Sequence, residues 1–233
     1  MSEHIYEIPL NDYFGKKNGE CPFCGIRKMR ENNEIEAITG ASMMEPSIRI
    51  KTNEQGFCAK HFDSMLKVGK KLPVALMIQS HMETIYSNFE RMKPEKFEKY
   101  IFSLQNDCYI CRRVEYNMEN VFSNFFDMWE KDAKFKQLAG EQSVFCLPDF
   151  QKMIFYGQKY LSKKEFLTFY GVIYEIQKKH LEELLDDIDW FCKKFDYRFR
   201  EESWKNSKDA PERAVRTITS VYPEGKNGNF DKI

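Results

Sequence analysis

Long apolar runs are missing from this 233-residue sequence, and so is any excess of charge of one sign. No stretch approaches the roughly 18 consecutive apolar residues of a membrane-spanning helix. The first twenty residues contain no basic segment followed by an apolar run. Lys plus Arg and Asp plus Glu number 36 each, so no overall positive field would collect a phosphate backbone. These absences predict a cytoplasmic protein without a membrane or nucleic-acid partner.

Catalytic signatures are missing too, since the chain has no Gly-rich phosphate loop and no GxSxG nucleophile motif. What the chain does have is 20 Phe and 12 Tyr, which supply large apolar surfaces for an ordered core. It also has seven cysteines. In a reducing compartment their spacing indicates metal ligation or thiol chemistry rather than a disulfide framework.

An internal repeat organises these cysteines. Two CxxC pairs align with each other when the chain is set against itself, and a CxxH pair aligns with a CxxD pair. The aligned residues are Cys21, Cys24, Cys58 and His61 in the first copy and Cys108, Cys111, Cys146 and Asp149 in the second. The match continues into the segments that follow, and a short insertion brings His81 opposite His180. Such self-similarity predicts a duplicated unit.

Apolar periodicity predicts helices, with start signals at some of their ends. This periodicity predicts helices over residues 72–92 and 162–199. Further helices are predicted over the charged segment 22–38 and over 112–130, and a short one from Pro211 through Val221. The best strand candidate is the segment from Ser47 to Thr52. We therefore predict an all-α fold with little or no β structure.

The predicted architecture is a pseudo-twofold arrangement of duplicated helical units, each with a pair of metal-binding knuckles, CxxC and CxxH/D. A single domain is expected over residues 1–222. Its repeats span about 20–100 and 107–200, its C-terminal capping segment is 201–222, and a loose tail covers 223–233.

The first copy of the motif predicts a closed metal site at Cys21, Cys24, Cys58 and His61. Two pairs of this kind can supply four ligands in tetrahedral array, for which zinc is the natural occupant. Cys58 and His61 precede an apolar helical pattern, and a helix start favours thiolates there. The alternative is that these thiols are merely buried or redox-active.

The second copy predicts a weaker or empty site at Cys108, Cys111, Cys146 and Asp149. The carboxylate is a harder ligand than histidine and adds one negative charge to the site. An Asp at this place is also a preferred N-cap for the helix that follows, which is the alternative interpretation of Asp149.

Three further residues stand near these motifs. His81 and His180 are interpreted as hydrogen-bonded core residues, with support of a metal ligand as the alternative. Cys192 lies in an aromatic helical stretch and is predicted to be a small buried hydrophobic residue. No residue is assigned a catalytic role.

Rival chemistries use the same residues. Cys21 and Cys24 resemble a thiol–disulfide pair, and the cysteines could also hold an iron–sulfur cluster. His81-Met-Glu83 followed by Cys108 and Cys111 resembles part of a zinc deaminase signature. A zinc-dependent hydrolase using the second site is the remaining enzyme hypothesis.

Four longer segments carry a family resemblance. They are Cys21-Pro-Phe-Cys24, Gly56-Phe-Cys-Ala-Lys-His-Phe62, Lys194-Phe-Asp-Tyr-Arg-Phe-Arg200 and Ser207-Lys-Asp-Ala-Pro-Glu-Arg213. Together with the second CxxC pair they resemble an uncharacterised bacterial cysteine-rich family of unknown function. The resemblance implies a shared helical fold and supplies no activity. In that family the second cluster often carries histidine where this chain has Asp149.

The interpretation that uses most of these observations is a cytoplasmic zinc-binding protein whose metal is structural. It would act as a binding or scaffold module with a protein partner or a second copy of itself. The alternative is a redox protein that uses the CxxC pairs.

Overall fold

A computed structural model describes residues 4–16 and 19–220 of the chain. Over these residues the secondary structure is helical and contains no strand, which confirms the all-α prediction. The α-helices are α1 (His4–Phe14), α2 (Pro22–Ile38), α3 (Pro46–Gln55), α4 (Ala59–Lys67), α5 (Lys71–Arg91), α6 (Pro94–Gln105), α7 (Tyr109–Lys131), α8 (Ala133–Gly140), α9 (Leu147–Tyr160), α10 (Lys163–Lys193) and α11 (Ala210–Thr219). Short 3₁₀ helices cover Ala41–Met44 and Tyr197–Phe199.

The predicted helix positions agree closely with the observed ones. Helix α2 has the predicted bounds, and α5 and α7 differ from prediction by one to three residues at each end. Helix α11 begins one residue before Pro211 and ends at Thr219, while Val221 lies outside the described residues.

The strand predicted at Ser47–Thr52 is wrong, because this segment lies inside helix α3. Pro46 occupies the first turn of α3, where its fixed φ and missing N–H suit a helix start. Ile50 is exposed and Thr52 is buried, so the segment has no apolar face of period two. Two isoleucines in alternation were too few to distinguish the two structures.

Helix α10 ends at Lys193 rather than running to residue 199. The next residue, Lys194, is buried, and its Nζ donates to the backbone carbonyls of Phe199 (2.7 Å), Arg200 (2.8 Å) and Glu202. A buried ammonium requires such acceptors. The Lys194 side chain therefore organises the turn that contains the Phe-Asp-Tyr-Arg-Phe-Arg motif.

The chain divides into two compact units. One comprises the described residues of Met1–Ile26 and Asn120–Ile233, and the other is Arg27–Glu119. The division falls inside helices α2 and α7 and does not follow the repeat boundaries. The single domain over 1–222 and its two repeats stay predictions. The loose tail predicted at 223–233 lies outside the described residues.

The first unit has an aromatic core. Its fully buried rings are Phe14, Phe23, Phe122, Phe125, Phe126, Trp129, Phe135, Phe145 and Phe169. Phe23 stacks on Phe122 with ring centroids 4.4 Å apart, and Phe126 meets Phe169 edge to face at 5.0 Å. Rings of this size bury large apolar areas and gain from these geometries. The core therefore anchors the starts of α2 and α9 beside it.

The second unit has a smaller core. Its buried apolar residues include Ile35, Ile38, Met43, Phe57, Met65, Val74, Met77, Tyr109 and Ile110. On α5, Val74 and Met77 are buried and face this core, whereas Leu76 and Phe89 are exposed.

Cys192 is exposed, so the prediction that it is a buried hydrophobic residue is wrong. At this end of α10 the inward positions belong to half-buried Phe191 and buried Lys194. Neighbouring positions on a helix point about 100° apart, which turns Cys192 outward. None of the helices in the described part of the chain is long and apolar enough to cross a membrane.

Candidate metal centres

Four helix N-termini carry the eight motif residues, and all four have the same local arrangement. In each pair the first residue directly precedes a helix and the second is the third residue of that helix. The helices and their pairs are α2 with Cys21 and Cys24, α4 with Cys58 and His61, α7 with Cys108 and Cys111, and α9 with Cys146 and Asp149. Free N–H groups and the helix dipole favour negative charge at each position. The predicted helix start at Cys58 is confirmed.

The pairs meet two by two, in a grouping that the sequence did not predict. Cys58, His61, Cys108 and Cys111 form one group, which we call the His61 cluster. Cys21, Cys24, Cys146 and Asp149 form the other, the Asp149 cluster. Within each cluster one ligand atom from every residue lies within 4.8 Å of all the others. The expected grouping of Cys21 and Cys24 with Cys58 and His61 is therefore corrected.

The cause of the regrouping is helix length. Each CxxC pair stands at the start of a long helix, so the chain leaves the pair along a rigid rod. Helix α2 has 17 residues, which at 1.5 Å per residue is about 25 Å. Closeness in sequence therefore does not bring the next motif pair back to the same point.

In the His61 cluster the Nδ1 atom of the imidazole faces three sulfur atoms. It lies 3.2 Å from Sγ of Cys58, 3.2 Å from Sγ of Cys108 and 3.4 Å from Sγ of Cys111. Cys58 and Cys111 have their sulfur atoms 4.0 Å apart. A backbone hydrogen bond from the N–H of Tyr109 to the carbonyl of Gly56, at 3.0 Å, joins the two segments that carry the pairs.

Glu31, a residue that sequence reasoning missed, holds the other side of the His61 ring. Its Oε1 lies 2.7 Å from His61 Nε2 and 2.6 Å from Lys60 Nζ. Since a carboxylate only accepts, Nε2 carries a proton, and Nδ1 is the atom that a metal ion would take. No sequence signal distinguishes Glu31 among the 36 acidic residues.

The charges of the His61 cluster fit this geometry. The hydrogen bond with His61 lowers the pKa of Glu31 to about 2. Burial opposes protonation of His61, yet its bonds to Cys108 and Glu31 raise its pKa to about 10. Burial likewise opposes the Cys108 thiolate, but the bond to His61 lowers the pKa of Cys108 to about 6. These shifts favour a positively charged ring beside a thiolate, so the surroundings of the sulfur atoms favour positive charge.

In the Asp149 cluster the carboxylate of Asp149 occupies the position that the imidazole of His61 has in the other cluster. Asp149 Oδ2 lies 3.1 Å from Sγ of Cys146, 3.5 Å from Sγ of Cys24 and 3.7 Å from Sγ of Cys21. The sulfur atoms of Cys24 and Cys146 are 3.4 Å apart. The buried rings of Phe23 and Phe145, each next to a cluster cysteine, lie 6.4 Å apart and fix the two pairs from the core side.

Burial and crowding dominate the charges of the Asp149 cluster. Burial disfavours the Cys21 thiolate, but hydrogen bonds from Cys146 and Cys24 outweigh it and hold the pKa of Cys21 well below its usual value. The bond to Cys21 raises the pKa of Cys146. The thiolate form is therefore favoured at Cys21 and disfavoured at its neighbours, whereas a bound divalent cation would favour the thiolate form of all three cysteines.

Asp149 is not the N-cap of α9, so that alternative is wrong. The N-cap is Cys146, and Asp149 stands in the first turn with 1% of its surface exposed. Its Oδ2 is directed at the sulfur atoms.

Both clusters have the size of a single-ion site. Tetrahedral zinc with bonds of about 2.3 Å to sulfur and about 2.0–2.2 Å to nitrogen or oxygen spaces its ligand atoms about 3.6–3.8 Å apart. Four of the six spacings lie between 3.2 and 4.0 Å in the His61 cluster and between 3.1 and 3.7 Å in the Asp149 cluster, and all six in each are within 4.8 Å. The residues therefore fit a mononuclear cation.

His81 and His180 each line a cavity beside a cluster. His81 Nδ1 donates to the backbone carbonyl of Asn53 at 2.9 Å, and the ring borders a cavity of about 390 Å³ that Cys58 also lines. His180 Nε2 lies 3.0 Å from Thr217 Oγ1, beside a cavity of about 30 Å³ lined by Cys21. Neither histidine belongs to a cluster, and their supporting role stays a prediction.

The deaminase signature does not come together in the described residues. The histidine that joins Cys108 and Cys111 is His61 rather than His81. Glu83 is exposed and accepts a hydrogen bond from Gln79 on its own helix. The sites are built on helix ends, without the strands such enzymes need.

Fold and site together define an all-helical, cysteine-rich protein with two four-residue clusters of metal-binding geometry. The chain belongs to the family described as "Family of unknown function (DUF6062)", whose model matches residues 1–225. The predicted family resemblance is thereby confirmed. No curated protein and no solved structure matches the chain.

Proposed function

We propose that the protein binds two zinc ions, one in each cluster, and that both ions are structural. The observation that carries the proposal is that the eight motif residues separate into two complete groups of four donors with none left over. Four protein ligands saturate tetrahedral zinc and leave no position for a substrate. The protein is accordingly proposed to be a binding or scaffold module rather than an enzyme.

The donor sets favour zinc. Three thiolates with an imidazole, or with a carboxylate, suit a borderline-soft ion in tetrahedral geometry. An iron–sulfur cluster is a poorer fit, because its four ligands are distributed over two or four iron atoms and are therefore spread farther apart than around a single ion. Within each cluster here, all donor atoms lie within 4.8 Å of one another.

We further propose that the chain arose by duplication, with the halves exchanging motif pairs. Each cluster takes its CxxC pair from one copy of the repeat and its CxxH or CxxD pair from the other. Through this exchange, a bound ion would join segments that are far apart in the chain. Cys24 and Cys146, for example, are 122 positions apart. Closing a loop of that length removes entropy from the unfolded chain.

We infer a cytoplasmic location, since seven free cysteines suit a reducing compartment. The work of such a module would be to hold a helical surface for a protein partner or a second copy of this chain. The exposed aromatic residues Phe195 and Tyr197, beside the turn that Lys194 organises, are one surface available for that purpose.

Metal analysis of protein purified without oxygen tests the proposal. Two zinc ions per chain are expected, and protein without metal would refute it. The grouping is tested by paired variants with equal numbers of lost thiols. Cys24→Ser with Cys146→Ser should remove one ion, whereas Cys24→Ser with Cys58→Ser should remove both. The grouping expected from the sequence gives the reverse result.

The redox alternative has its own observation, the 3.4 Å separation of the Cys24 and Cys146 sulfur atoms. A brown protein with visible absorbance would indicate iron. A stable Cys24–Cys146 disulfide in protein purified from the cell would indicate thiol–disulfide exchange.

A further inference from the structure

The two clusters differ in the exposure of their cysteine residues. In the His61 cluster Cys111 is exposed and Cys58 is half-buried, while His61 and Cys108 are buried. In the Asp149 cluster only Cys24 is half-buried, and the other three residues are buried. A reagent from solution therefore reaches two sulfur atoms of the His61 cluster more readily than any pair in the Asp149 cluster.

Space around Cys58 adds to this difference. Cys58 lines the cavity of about 390 Å³, together with Ala59 and the apolar side chains of Ile85 and Ile101. The sulfur atoms of Cys58 and Cys111 are 4.0 Å apart. Bringing them to the bonded distance of about 2.05 Å shortens this separation by about 2 Å.

Distance alone would favour a different pair. Cys24 and Cys146 have their sulfur atoms closer, at 3.4 Å, but Cys146 is only 1% exposed. Oxidation begins with a collision between a thiolate and the oxidant. The access of the oxidant to a cysteine therefore matters more for which pair reacts first than the distance between the two sulfur atoms.

We propose that Cys58 and Cys111 form an oxidation site, at which a hydroperoxide makes a disulfide and releases the metal ion of the His61 cluster. The metal-release part rests on the proposed function. The Asp149 cluster keeps its ion under the same conditions. The protein would thus have one permanent centre and one that responds to oxidant.

The chemistry takes two steps. Held as a thiolate by a bound cation, the Cys111 sulfur would attack one oxygen of the hydroperoxide, the O–O bond would break, and the leaving oxygen would take a proton, which gives a sulfenic acid on Cys111. The Cys58 thiolate then attacks the Cys111 sulfur, an S–S bond forms, the S–O bond breaks, and hydroxide leaves as water after taking a proton. The two thiolates together lose two electrons. Hydrogen peroxide is thereby reduced to two molecules of water, and an organic hydroperoxide to one alcohol and one water.

Release follows from the loss of ligands. With Cys58 and Cys111 bonded to each other, only His61 and Cys108 would remain to hold an ion, and two donors hold zinc far more weakly than four. Cys58 directly precedes α4 and Cys111 lies in the first turn of α7, so the new bond still links these helix starts.

The experiment uses the full chain, with zinc content measured first. Hydrogen peroxide is added in small steps, released zinc is followed with a chromogenic chelator, and disulfides are mapped by mass spectrometry. One of two ions should leave in a phase about tenfold faster than the second, with a Cys58–Cys111 disulfide. Cys111→Ser should by itself empty the His61 cluster, leaving only the slowly released ion and no Cys58–Cys111 disulfide, so the disulfide map of the unsubstituted chain is the deciding measurement. The matched control is Cys192→Ser, an exposed cysteine outside both clusters, which should change nothing.

The outcomes separate this inference from the proposed function. Zinc-free protein refutes the proposed function, and disulfide mapping still tests the oxidation site, since Cys58–Cys111 should form first. Protein with two zinc ions that leave together, or that forms Cys24–Cys146 first, keeps the proposed function and overturns the inference. If Cys111→Ser does not fold, the disulfide map of the unsubstituted chain decides.

Discussion

The Nε2 atom of His61 lies 2.7 Å from Oε1 of Glu31, while Nδ1 of the same ring faces the cysteine sulfur atoms. A carboxylate behind an imidazole fixes the ring orientation and makes the metal-facing nitrogen a better donor. Glu31 is thus the positioning residue of the His61 cluster. It lies on α2, and the start of the same helix supplies Cys24 to the Asp149 cluster.

Replacing Glu31 should weaken metal binding at one cluster only. Glu31→Gln keeps the size of the side chain but removes its charge, and the loss of such a partner costs about 10- to 100-fold in metal affinity. Competition with a chelator of known affinity measures the change. Glu34→Gln is the control, since Glu34 lies on the same helix and pairs with Arg113 instead. Equal effects of the two variants would contradict the role given to Glu31.

Asp149→His should strengthen metal retention in the Asp149 cluster. Asp149 and His61 hold the same position in their helices, so a histidine there directs a nitrogen toward three sulfur atoms. It also removes one negative charge from the occupied site and supplies a better zinc ligand. Asp149→Asn, which has no charge and a weaker donor, should lose metal faster than the unsubstituted chain. The rates of loss to excess chelator measure both. If all three proteins lose metal at the same rate, Asp149 is not a ligand.

Removing metal should destabilise the fold, and the two clusters should contribute unequally. The Asp149 cluster joins residues up to 122 positions apart in pairs such as Cys24 and Cys146, against 53 for Cys58 and Cys111. Because the loop closed by the Asp149 cluster is longer, loop-closure entropy should make its ion stabilise the fold by about 0.7 kcal/mol more than the ion of the His61 cluster. Urea unfolding of Cys146→Ser and Cys58→Ser, each with its zinc content measured, compares them. A larger loss for Cys58→Ser would reverse this order.

Gly56→Ala should destabilise the second unit. Gly56 has φ +63° and ψ −158°, a region almost restricted to glycine, and a Cβ there would lie 2.8 Å from His81 Nε2. The backbone cost is about 1–3 kcal/mol, measurable by urea unfolding. Gly69→Ala is the control, since Gly69 also has positive φ but nothing lies within 4 Å of its added Cβ. An equal loss in both would mean that the contact with His81 contributes nothing.

Local patterns carried most of the predictions that the structure confirms. The apolar periodicity of α5, the charged segment after the first CxxC pair that became α2, and the Pro at the start of α11 are properties of short segments, and short segments determine where a helix runs. The same was true of Cys58, whose position before an apolar helical pattern indicated a helix start. Where a pattern was too short, as at Ser47–Thr52, the local signal failed.

The eight motif residues were identifiable from the sequence, because cysteine, histidine and aspartate at this spacing can converge on one point from a helix end. Their partners were decided only by the tertiary structure. Helices α2 and α7 are rigid rods of 17 and 23 residues, about 25 and 35 Å long, and they carry the chain away from the cysteines at their starts. Three features therefore depend on how these helices pack. They are the grouping of the pairs into clusters, the position of Glu31 behind His61, and the exposure of Cys111 compared with the burial of Cys21.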